Sequence, residues 1–229
     1  YVDSIGLTGL GETFMFKKLP EIVDYIRSKN NGIIISVSTN AHLPISVKMA
    51  EDLADKIDTI QVSIDGIGKV YEKVRLKSDY SFFYENMLQT IEACRGKRAT
   101  VMFNFVAIKE NYHDMADVVE LAGKLGVKYV NITPFNVASV TIHDKTYYDF
   151  FQTAEFKSEL KRAKAMSKNY PEIEFTTWDI EVPKGFRKCD LVWSHFYVSW
   201  DGYATPCCAK PFPKELNFGS IFDDGLMRC

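Results

Sequence analysis

The chain has 229 residues, of which 46% are hydrophobic and 25% are charged, and its formal net charge is −2. This composition is typical of a globular protein with one large domain, or one domain and an appendage. The balanced charge gives no basic footprint for nucleic acid, and no apolar run approaches the ~20 residues of a membrane span, so we expect neither partner.

Short apolar runs alternate with longer amphipathic segments along the first 177 residues. Valine- and isoleucine-rich runs bounded by turn signals are typical of a parallel sheet that is buried on both faces. Repeated βα units with short connections wind into a sheet or barrel. Strands are predicted at residues 2–7, 33–38, 59–64, 100–108, 127–132 and 173–177, and helices at 14–29, 45–56, 80–95, 115–125 and 145–169.

The composition changes after residues 183–185, a Pro-Lys-Gly segment that predicts a domain boundary. Four of the five cysteines lie beyond residue 188. Segments 195–200 and 203–207 flank Asp201-Gly202, a strong hairpin signal. We therefore predict an α/β body at 1–182 and a small cysteine-bearing hairpin region at 183–229.

An odd number of cysteines in a chain of this length argues against a secreted disulfide framework. We therefore expect a reducing cytoplasm, in which thiols are free, catalytic or metal-bound. The first residue is not methionine and already belongs to a strand-like run, so we expect further sequence to precede it.

The segment 157–168 is locally basic. It holds Lys157, Lys161, Arg162, Lys164 and Lys168. At helical spacing such a run is typical of a solvated face.

Small and polar residues lie in or directly after the first five predicted strands of the body, toward their carboxyl ends. The carboxyl ends of parallel strands share one edge, where α/β proteins gather their chemistry. Each of these residue types is also common in turns. Five such groups at corresponding positions of successive strands nevertheless predict a binding site. The groups are residues 9–12, Thr39 with Asn40, residues 63–66, Asn104, and Asn131 with residues 133–134.

Three of these groups carry a resemblance to a known family. Gly9-Leu10-Gly11-Glu12, then Ser38-Thr39-Asn40-Ala41, then Ser63-Ile64-Asp65-Gly66 with Arg75 downstream are similar in order and spacing to the radical S-adenosylmethionine (SAM) superfamily. The family pattern reads roughly GGEP, TNG and SLDG. The resemblance implies a partial (β/α)6 TIM-like barrel, here without its first unit, that binds SAM across its top.

The match has three departures: Leu10 and Ala41 stand where the family has glycine, and Thr13 stands where it has proline. The resemblance implies a role for each matching residue. The backbone near Gly11 and the carboxylate of Glu12 would accept hydrogen bonds from the SAM ammonium. Arg75 would clamp the SAM carboxylate, although a surface ion pair with Glu72 or Asp79 is an alternative. Thr39, Asn40 and Ser63 are candidates to bind the ribose or the carboxylate of SAM, and Asn104 is a candidate to bind its ribose or adenine. Asp65 is also a candidate cofactor-binding residue, although a carboxylate that only stabilises its own turn is an alternative.

The radical SAM reaction requires a [4Fe–4S] cluster on a CxxxCxxC motif, and the sequence contains no such motif. Cys94 is predicted to lie in the core, because free cysteine is among the most buried residue types. If the resemblance holds, we expect the cluster ligands and the first βα unit to lie upstream. The 229 residues alone would then be inactive.

The tail shows a second resemblance. Cys189, Gly202 and Cys207 fit C-x(9–15)-G-x(4)-C, which looks like the opening of a SPASM domain, the auxiliary-cluster module of peptide-modifying radical SAM enzymes. This implies that Cys189 and Cys207 bind an auxiliary [4Fe–4S] cluster. A cluster needs about four ligands, and the later cysteine group of the family is absent from this sequence, so we expect residues 183–229 to be a truncated SPASM region. The alternatives are a pair of buried or free thiols, or a structural zinc site that adds His195.

The two resemblances together imply a maturase of the oxidoreductase type. It would form a 5′-deoxyadenosyl radical from SAM, act on a peptide or protein, and receive electrons from a donor such as ferredoxin or flavodoxin. Two alternatives remain from the residues: a non-radical α/β barrel enzyme with a structural zinc tail, and a non-catalytic barrel adaptor.

Overall fold

The computed structural model describes residues 2–9, 11–135, 149–177, 194–207, 212–214, 216–226 and 228. The chain divides into two compact units. The first comprises Tyr1–Pro134 and Phe150–Asp179, and the second comprises Phe135–Asp149 and Ile180–Cys229. The boundary predicted between residues 182 and 183 lies outside the described residues.

Six parallel strands form one sheet in the order β1-β2-β3-β4-β5-β6. Each strand lies beside its neighbour in sequence, so the sheet winds in one direction, as in a barrel, and does not reverse as in a doubly wound fold. The predicted α/β class with a barrel-type parallel sheet is confirmed. The strands are β1 (Ser4–Leu7), β2 (Ile34–Thr39), β3 (Thr59–Ser63), β4 (Thr100–Ala107), β5 (Tyr129–Pro134) and β6 (Glu174–Thr177).

Helices connect successive strands, with α2 packed against α4 and α5 against α6. The helices are α1 (Leu19–Lys29), α2 (Ile45–Leu53), α3 (Lys69–Val74), α4 (Tyr80–Cys94), α5 (Met115–Leu125) and α6 (Ala154–Ser167), and 3-10 turns occur at Thr13–Met15, Tyr112–Asp114 and Phe150–Gln152. Among the described residues, no helix combines the length and the apolar character that crossing a membrane would need.

The helix predicted over 14–29 is wrong in its first part. Thr13–Met15 forms a 3-10 turn, and α1 begins only at Leu19 with Pro20 in its first turn. Proline has no N–H, and its ring clashes with the carbonyl of the residue four positions earlier. Pro20 is therefore tolerated at the start of a helix but not in its interior, which sets the beginning of α1.

The single helix predicted over 145–169 is interrupted in the part that the structure describes. A 3-10 turn at Phe150–Gln152 is followed by Thr153, whose backbone is extended (φ −66°, ψ 153°). Its hydroxyl accepts a hydrogen bond from Phe156 N at 3.3 Å. A threonine N-cap of this kind satisfies an unpaired N–H of the first turn, so α6 begins at Ala154.

The sheet is not buried on both faces, and that prediction is wrong. Residues of β2, β3, β4 and β5 alternate between buried and partly exposed. One face carries apolar side chains, such as Val37, Val62 and Phe103, that are fully buried. The opposite face is largely polar, because Ser, Thr, Gln and Asn occupy most of its positions, although Met102 and Val106 of β4 also lie on it.

Asp58 ties several elements together at the amino end of the sheet. Its Oδ2 accepts hydrogen bonds from Ile35 N and Arg27 Nη2, both at 2.7 Å, and its Oδ1 accepts one from Arg98 Nε at 2.8 Å. Burial alone would raise the pKa of Asp58, but the hydrogen bonds from Ile35, Arg27 and Arg98 lower it overall. In this architecture the end opposite the loops of the site serves stability.

In the second unit, β7 (Tyr197–Val198) and β8 (Ala204–Thr205) form an antiparallel hairpin with Tyr197 opposite Thr205. The segment around residue 220 adds to the other side of β8. There Phe218 N donates to Ala204 O at 2.8 Å, and Ala204 N donates to Gly219 O at 3.0 Å. The predicted hairpin around Asp201-Gly202 is confirmed.

Candidate cofactor-binding rim and cluster segment

Glu12 joins the loops that follow β1 and β2. Its Oε1 accepts a hydrogen bond from Phe14 N at 3.0 Å, and its Oε2 accepts one from Asn40 N at 2.6 Å. Hydrogen bonds to an ionised acceptor are stronger than neutral ones. The carboxylate therefore fixes two backbone segments at the carboxyl edge of the sheet, and its predicted contact with a ligand ammonium stays a prediction.

The turn after β2 is held by its own side chains. Thr39 is 2% exposed and its Oγ1 accepts from Ala41 N at 3.0 Å, while Asn40 Oδ1 accepts from His42 N at 2.9 Å. Ala41 has a φ of +50°, in the left-handed region that favours glycine. Ala41 thus adopts a backbone conformation that would suit the glycine of the family pattern. The structure brings Asn40 to Glu12 and leaves Thr39 buried among the turn atoms.

Asp65 and Arg75 form an ion pair after β3. Arg75 Nε and Nη2 both donate to Asp65 Oδ2, at 3.0 and 2.7 Å, and Asp65 Oδ1 accepts from Val106 N at 2.9 Å. The side chain of Asp65 is 10% exposed and that of Arg75 is 26% exposed. The partner of Arg75 is thus Asp65 and not the Glu72 or Asp79 of the alternative. Asp65 is more than a turn residue, because it fixes both the guanidinium and the end of β4.

Two residues of the next loop extend this rim and were missed in the sequence. Asn111 is fully buried, and its Nδ2 donates to Asp65 O at 3.2 Å and to Val106 O at 2.9 Å. Asp114 Oδ2 accepts from Ile67 N at 2.8 Å, and burial raises the pKa of this carboxyl. The available signal was Asn and Asp directly before a helix, where side chains often bind backbone.

A row of polar side chains crosses the partly exposed face of the sheet. Thr176 Oγ1 donates to Asn131 Oδ1 at 2.9 Å, and Asn131 Nδ2 donates to Asn104 Oδ1 at 2.8 Å. Ser63 lies beside Asn104 in the strand register. The side-chain oxygen of Asn104 accepts the hydrogen bond from Asn131, so the side-chain nitrogen of Asn104 is left to donate to a ligand. Thr176 was missed in the sequence, although period-two polarity in the strands was the available signal.

Farther toward β2, Ser38 Oγ donates to Gln61 Oε1 at 3.2 Å on the same face. The rim and the polar face together offer short neutral donors and acceptors and one guanidinium held by Asp65. Such groups suit a ligand with hydroxyls, an amide-like ring edge and a carboxylate. Gly11 contributes only backbone, with a φ of +112° and no atom within 4 Å of the place of a Cβ.

The hairpin of the second unit requires glycine before Cys207. Gly202 has a φ of +84°, and a Cβ at this position would lie 2.1 Å from the ring of Phe222. No other residue fits both the backbone and the ring contact. Cys207, which follows β8, is a partly exposed free thiol. The spacing from Gly202 to Cys207 thus has a structural reason.

A buried, unpaired hydroxyl lies two residues before Cys207 in the sequence. Thr205 is fully buried, and its Oγ1 has no hydrogen-bond partner; a hydroxyl donor of this kind is what sulfur atoms of a cluster accept. In the part of the chain that the structure describes, no three His, Cys, Asp or Glu side chains gather as metal ligands. Cys189, Cys208 and Cys229 lie outside the described residues, and His195 Nδ1 lies 2.9 Å from Ser194 Oγ.

Cys94 is a core residue, as predicted. Its side chain lies at the end of α4, where the residue is 6% exposed, and burial raises the pKa of its thiol to about 11. At neutral pH it is therefore protonated and unreactive.

Residues 189–228 match the SPASM family, an iron–sulfur cluster-binding domain. The chain also superposes on SuiB of Streptococcus suis bound to S-adenosylmethionine, with a TM-score of 0.69, 15% identity, and coverage of 98% of this chain and 53% of that one. SuiB bound to its precursor peptide SuiA gives a TM-score of 0.71 at 16% identity with the same coverage. A radical SAM methyltransferase from Sphaerobacter thermophilus gives 0.52 at 16% identity, covering 77% of this chain and 50% of that one.

This chain has the radical SAM fold and carries a SPASM segment.

The SPASM segment begins at Cys189, which is the first cysteine predicted to bind the auxiliary cluster. It also contains Gly202 and Cys207, so the predicted motif and the family match cover the same residues. The superposition with SuiB covers nearly all of this chain, which spans only 53% of the length of SuiB.

Proposed function

We propose that this chain is the barrel and auxiliary-cluster part of a radical SAM enzyme that modifies a peptide or protein. The main support for the proposal is the SPASM segment at residues 189–228. It occurs in the same chain as a parallel sheet that winds in one direction and has one largely polar face. The match to SuiB, a protein seen with SAM and with a precursor peptide, supports this cofactor and this substrate class.

SAM would bind at the carboxyl edge of the sheet. The Asn104 amide, oriented by Asn131, and the Ser63 hydroxyl would meet its ribose. Arg75, held by Asp65, would face its carboxylate. Glu12 would act mainly by holding the backbone near Gly11, whose carbonyl would accept from the SAM ammonium. These residues bind and orient the cofactor and replace water around it.

A reduced [4Fe–4S] cluster, when bound, supplies the electron that releases a 5′-deoxyadenosyl radical from SAM. The sequence contains no CxxxCxxC motif, so the ligands of that cluster would come from outside these 229 residues. The chain alone would then bind SAM without performing the reaction. A small reducing protein such as a ferredoxin or flavodoxin would supply the electron, and the reducing cytoplasm would preserve the thiolate ligands.

In the SPASM segment, Cys189 and Cys207 would supply two thiolates to an auxiliary [4Fe–4S] cluster. The hairpin fixed by Gly202 would orient Cys207, and Thr205 would donate its hydroxyl to a sulfur atom. A zinc site on the same cysteines is the competing assignment.

The test is incubation of the reduced, iron-loaded protein, in the full length that its gene encodes, with SAM. We expect 5′-deoxyadenosine, detected by chromatography and mass spectrometry, and several-fold less of it for Arg75→Ala. An iron-loaded, folded protein that yields no 5′-deoxyadenosine would rule out the radical enzyme and favour the adaptor. A protein whose only metal is zinc would favour the non-radical barrel enzyme.

A further inference from the structure

The last helix of the barrel carries a line of lysines along one side. They occupy positions i, i+4, i+7 and i+11, which fall on one face of a helix, and all are exposed. The buried face of the helix is formed instead by Phe156, Leu160 and Ala163. The four lysines, called the lysine row below, are Lys157, Lys161, Lys164 and Lys168.

The lysine row has no acidic partner among the residues that the structure describes. By contrast, Arg162 on the same helix pairs with Glu159 at 2.8 Å and with Asp117 at 3.8 Å. Like charges one helical turn apart repel each other. An aligned, uncompensated row therefore concentrates positive charge on one surface of a chain whose net charge is −2.

The lysine row ends at a groove between α6 and β6. This open groove has a volume of about 630 Å³, and Lys164 and Lys168 line the side formed by α6. Ile173 and Phe175 supply apolar lining. Apolar residues beside two cations suit a partner peptide that contains both uncharged and acidic residues.

The groove adjoins an edge of the sheet. In the described part of the chain, β6 pairs with β5 alone. Glu174 N donates to Lys128 O at 2.7 Å, toward β5. Backbone groups of successive strand residues alternate in direction, so the N–H and C=O of Phe175 point to the open edge. Such an edge is a template for an additional strand.

We propose that this groove binds an extended acidic peptide segment, which adds to β6 as a strand and places carboxylates against the lysine row. Neighbouring lysines of the row are separated along the helix axis by about 6, 4.5 and 6 Å. Residues on one side of an extended peptide recur every ~6.6 Å. The spacing therefore favours acidic residues at alternate positions. The inference rests on the proposed function only in taking the partner to be a peptide.

The test is fluorescence anisotropy of the protein, in the full length that its gene encodes, with labelled synthetic peptides at low and physiological salt. The probe alternates Glu with Thr, and a control peptide of the same composition has its Glu residues grouped at one end. We expect the alternating peptide to bind about tenfold more tightly than the grouped one. Methylating its alternate amide nitrogens, which blocks strand pairing, would weaken binding about tenfold.

Matched variants locate the surface. Lys164→Glu with Lys168→Glu would weaken the alternating peptide about tenfold, and Lys164→Gln with Lys168→Gln would weaken it less. Lys17→Glu with Lys18→Glu, an equal charge change elsewhere, would stay within about twofold. Far-UV circular dichroism checks that each variant is folded.

Three results would overturn the proposal: no binding of the alternating peptide, equal binding of both peptides, or equal losses in the two charge-reversed variants. The last two would indicate unspecific attraction between charges. Because the titration needs neither SAM nor iron, its failure would leave the 5′-deoxyadenosine result untouched, and the reverse also holds.

Discussion

Single residues at the carboxyl edge of the sheet act mostly on the backbone. Glu12 accepts from two N–H groups of neighbouring loops, Asp65 accepts from Val106 N as well as from Arg75, and Asn111 donates to two carbonyls. These bonds set the loop shapes before any ligand is bound. In the proposed complex, direct contacts with SAM would come from Arg75, the Asn104 amide, the Ser63 hydroxyl and the Gly11 carbonyl.

Replacing Glu12 by Gln tests this role. An amide has one acceptor oxygen, so one of the N–H groups of Phe14 and Asn40 would lose its partner. We expect the free energy of unfolding to fall by about 1–3 kcal/mol, measured by urea denaturation, and SAM to bind several-fold more weakly by calorimetry.

The control is Glu51→Gln on α2, where the carboxylate is exposed. Its effect should stay within about 0.5 kcal/mol. Equal effects of the two substitutions would show that the bonds of Glu12 contribute nothing particular to the rim.

The lowered pKa of Asp58 predicts that part of the protein's stability depends on pH. Its native pKa lies below the ordinary value of 3.8, so its stabilisation is complete above that value and is lost as the pH falls through the native pKa. Asp58→Asn should lower the free energy of unfolding by about 1.5–3 kcal/mol at pH 7. The difference from the wild type should shrink as the pH falls from 5 toward 3.

Urea denaturation across that pH range measures the effect. Asp55→Asn, which removes a largely exposed partner of Lys97, serves as the control and should change stability little at any pH. A deficit of Asp58→Asn that is independent of pH would contradict the assigned pKa shift.

At the scale of elements, the strands were predictable because most of them are compact runs rich in β-branched residues between turn signals. The polar face was not predicted, because apolar residues dominate the runs of β2 to β5. Asn104 and Asn131 were interpreted as residues at strand ends, and not as members of one face with Gln61. The helix boundaries failed where one residue decides the local geometry. Pro20 delays α1, and Thr153 caps α6, so neither helix follows the full amphipathic pattern.

The hairpin of the SPASM segment depends on one glycine. In Gly202→Ala the new Cβ would meet the Phe222 ring at 2.1 Å and would require a positive φ. Both effects oppose the turn that precedes Cys207. We expect a lower thermal unfolding temperature, by scanning calorimetry, and less bound iron per chain.

Gly96→Ala is the matched control, since Gly96 also has a positive φ (+71°) but no atom within 4 Å of the added Cβ. It should cost only about 1 kcal/mol and leave the iron content unchanged. If Gly202→Ala binds as much iron as Gly96→Ala, the hairpin does not position a ligand.

At the scale of the whole molecule, the candidate site unites residues that are distant in sequence. Parallel strands in sequential order bring the ends of β1 to β5 to one edge, which is why Glu12 was predictable from its place after a strand. Arg75 follows α3 and was predicted from the family resemblance, and Asn104 lies within β4 and not after it. The bonds among them were not, because the Asp65–Arg75 pair and the Asn104–Asn131 contact depend on strand register. The resemblance in the tail and the SPASM match rest on Cys189, Gly202 and Cys207.

The most direct measurement is the iron content and visible spectrum of the anaerobically reconstituted chain and its cysteine variants. We expect a brown protein with about four iron atoms per auxiliary cluster. Cys189→Ala and Cys207→Ala should each lose most of this iron, and Cys94→Ala should keep it because Cys94 is buried in the barrel. A colourless, zinc-containing protein, or full iron retention in Cys207→Ala, would contradict the account.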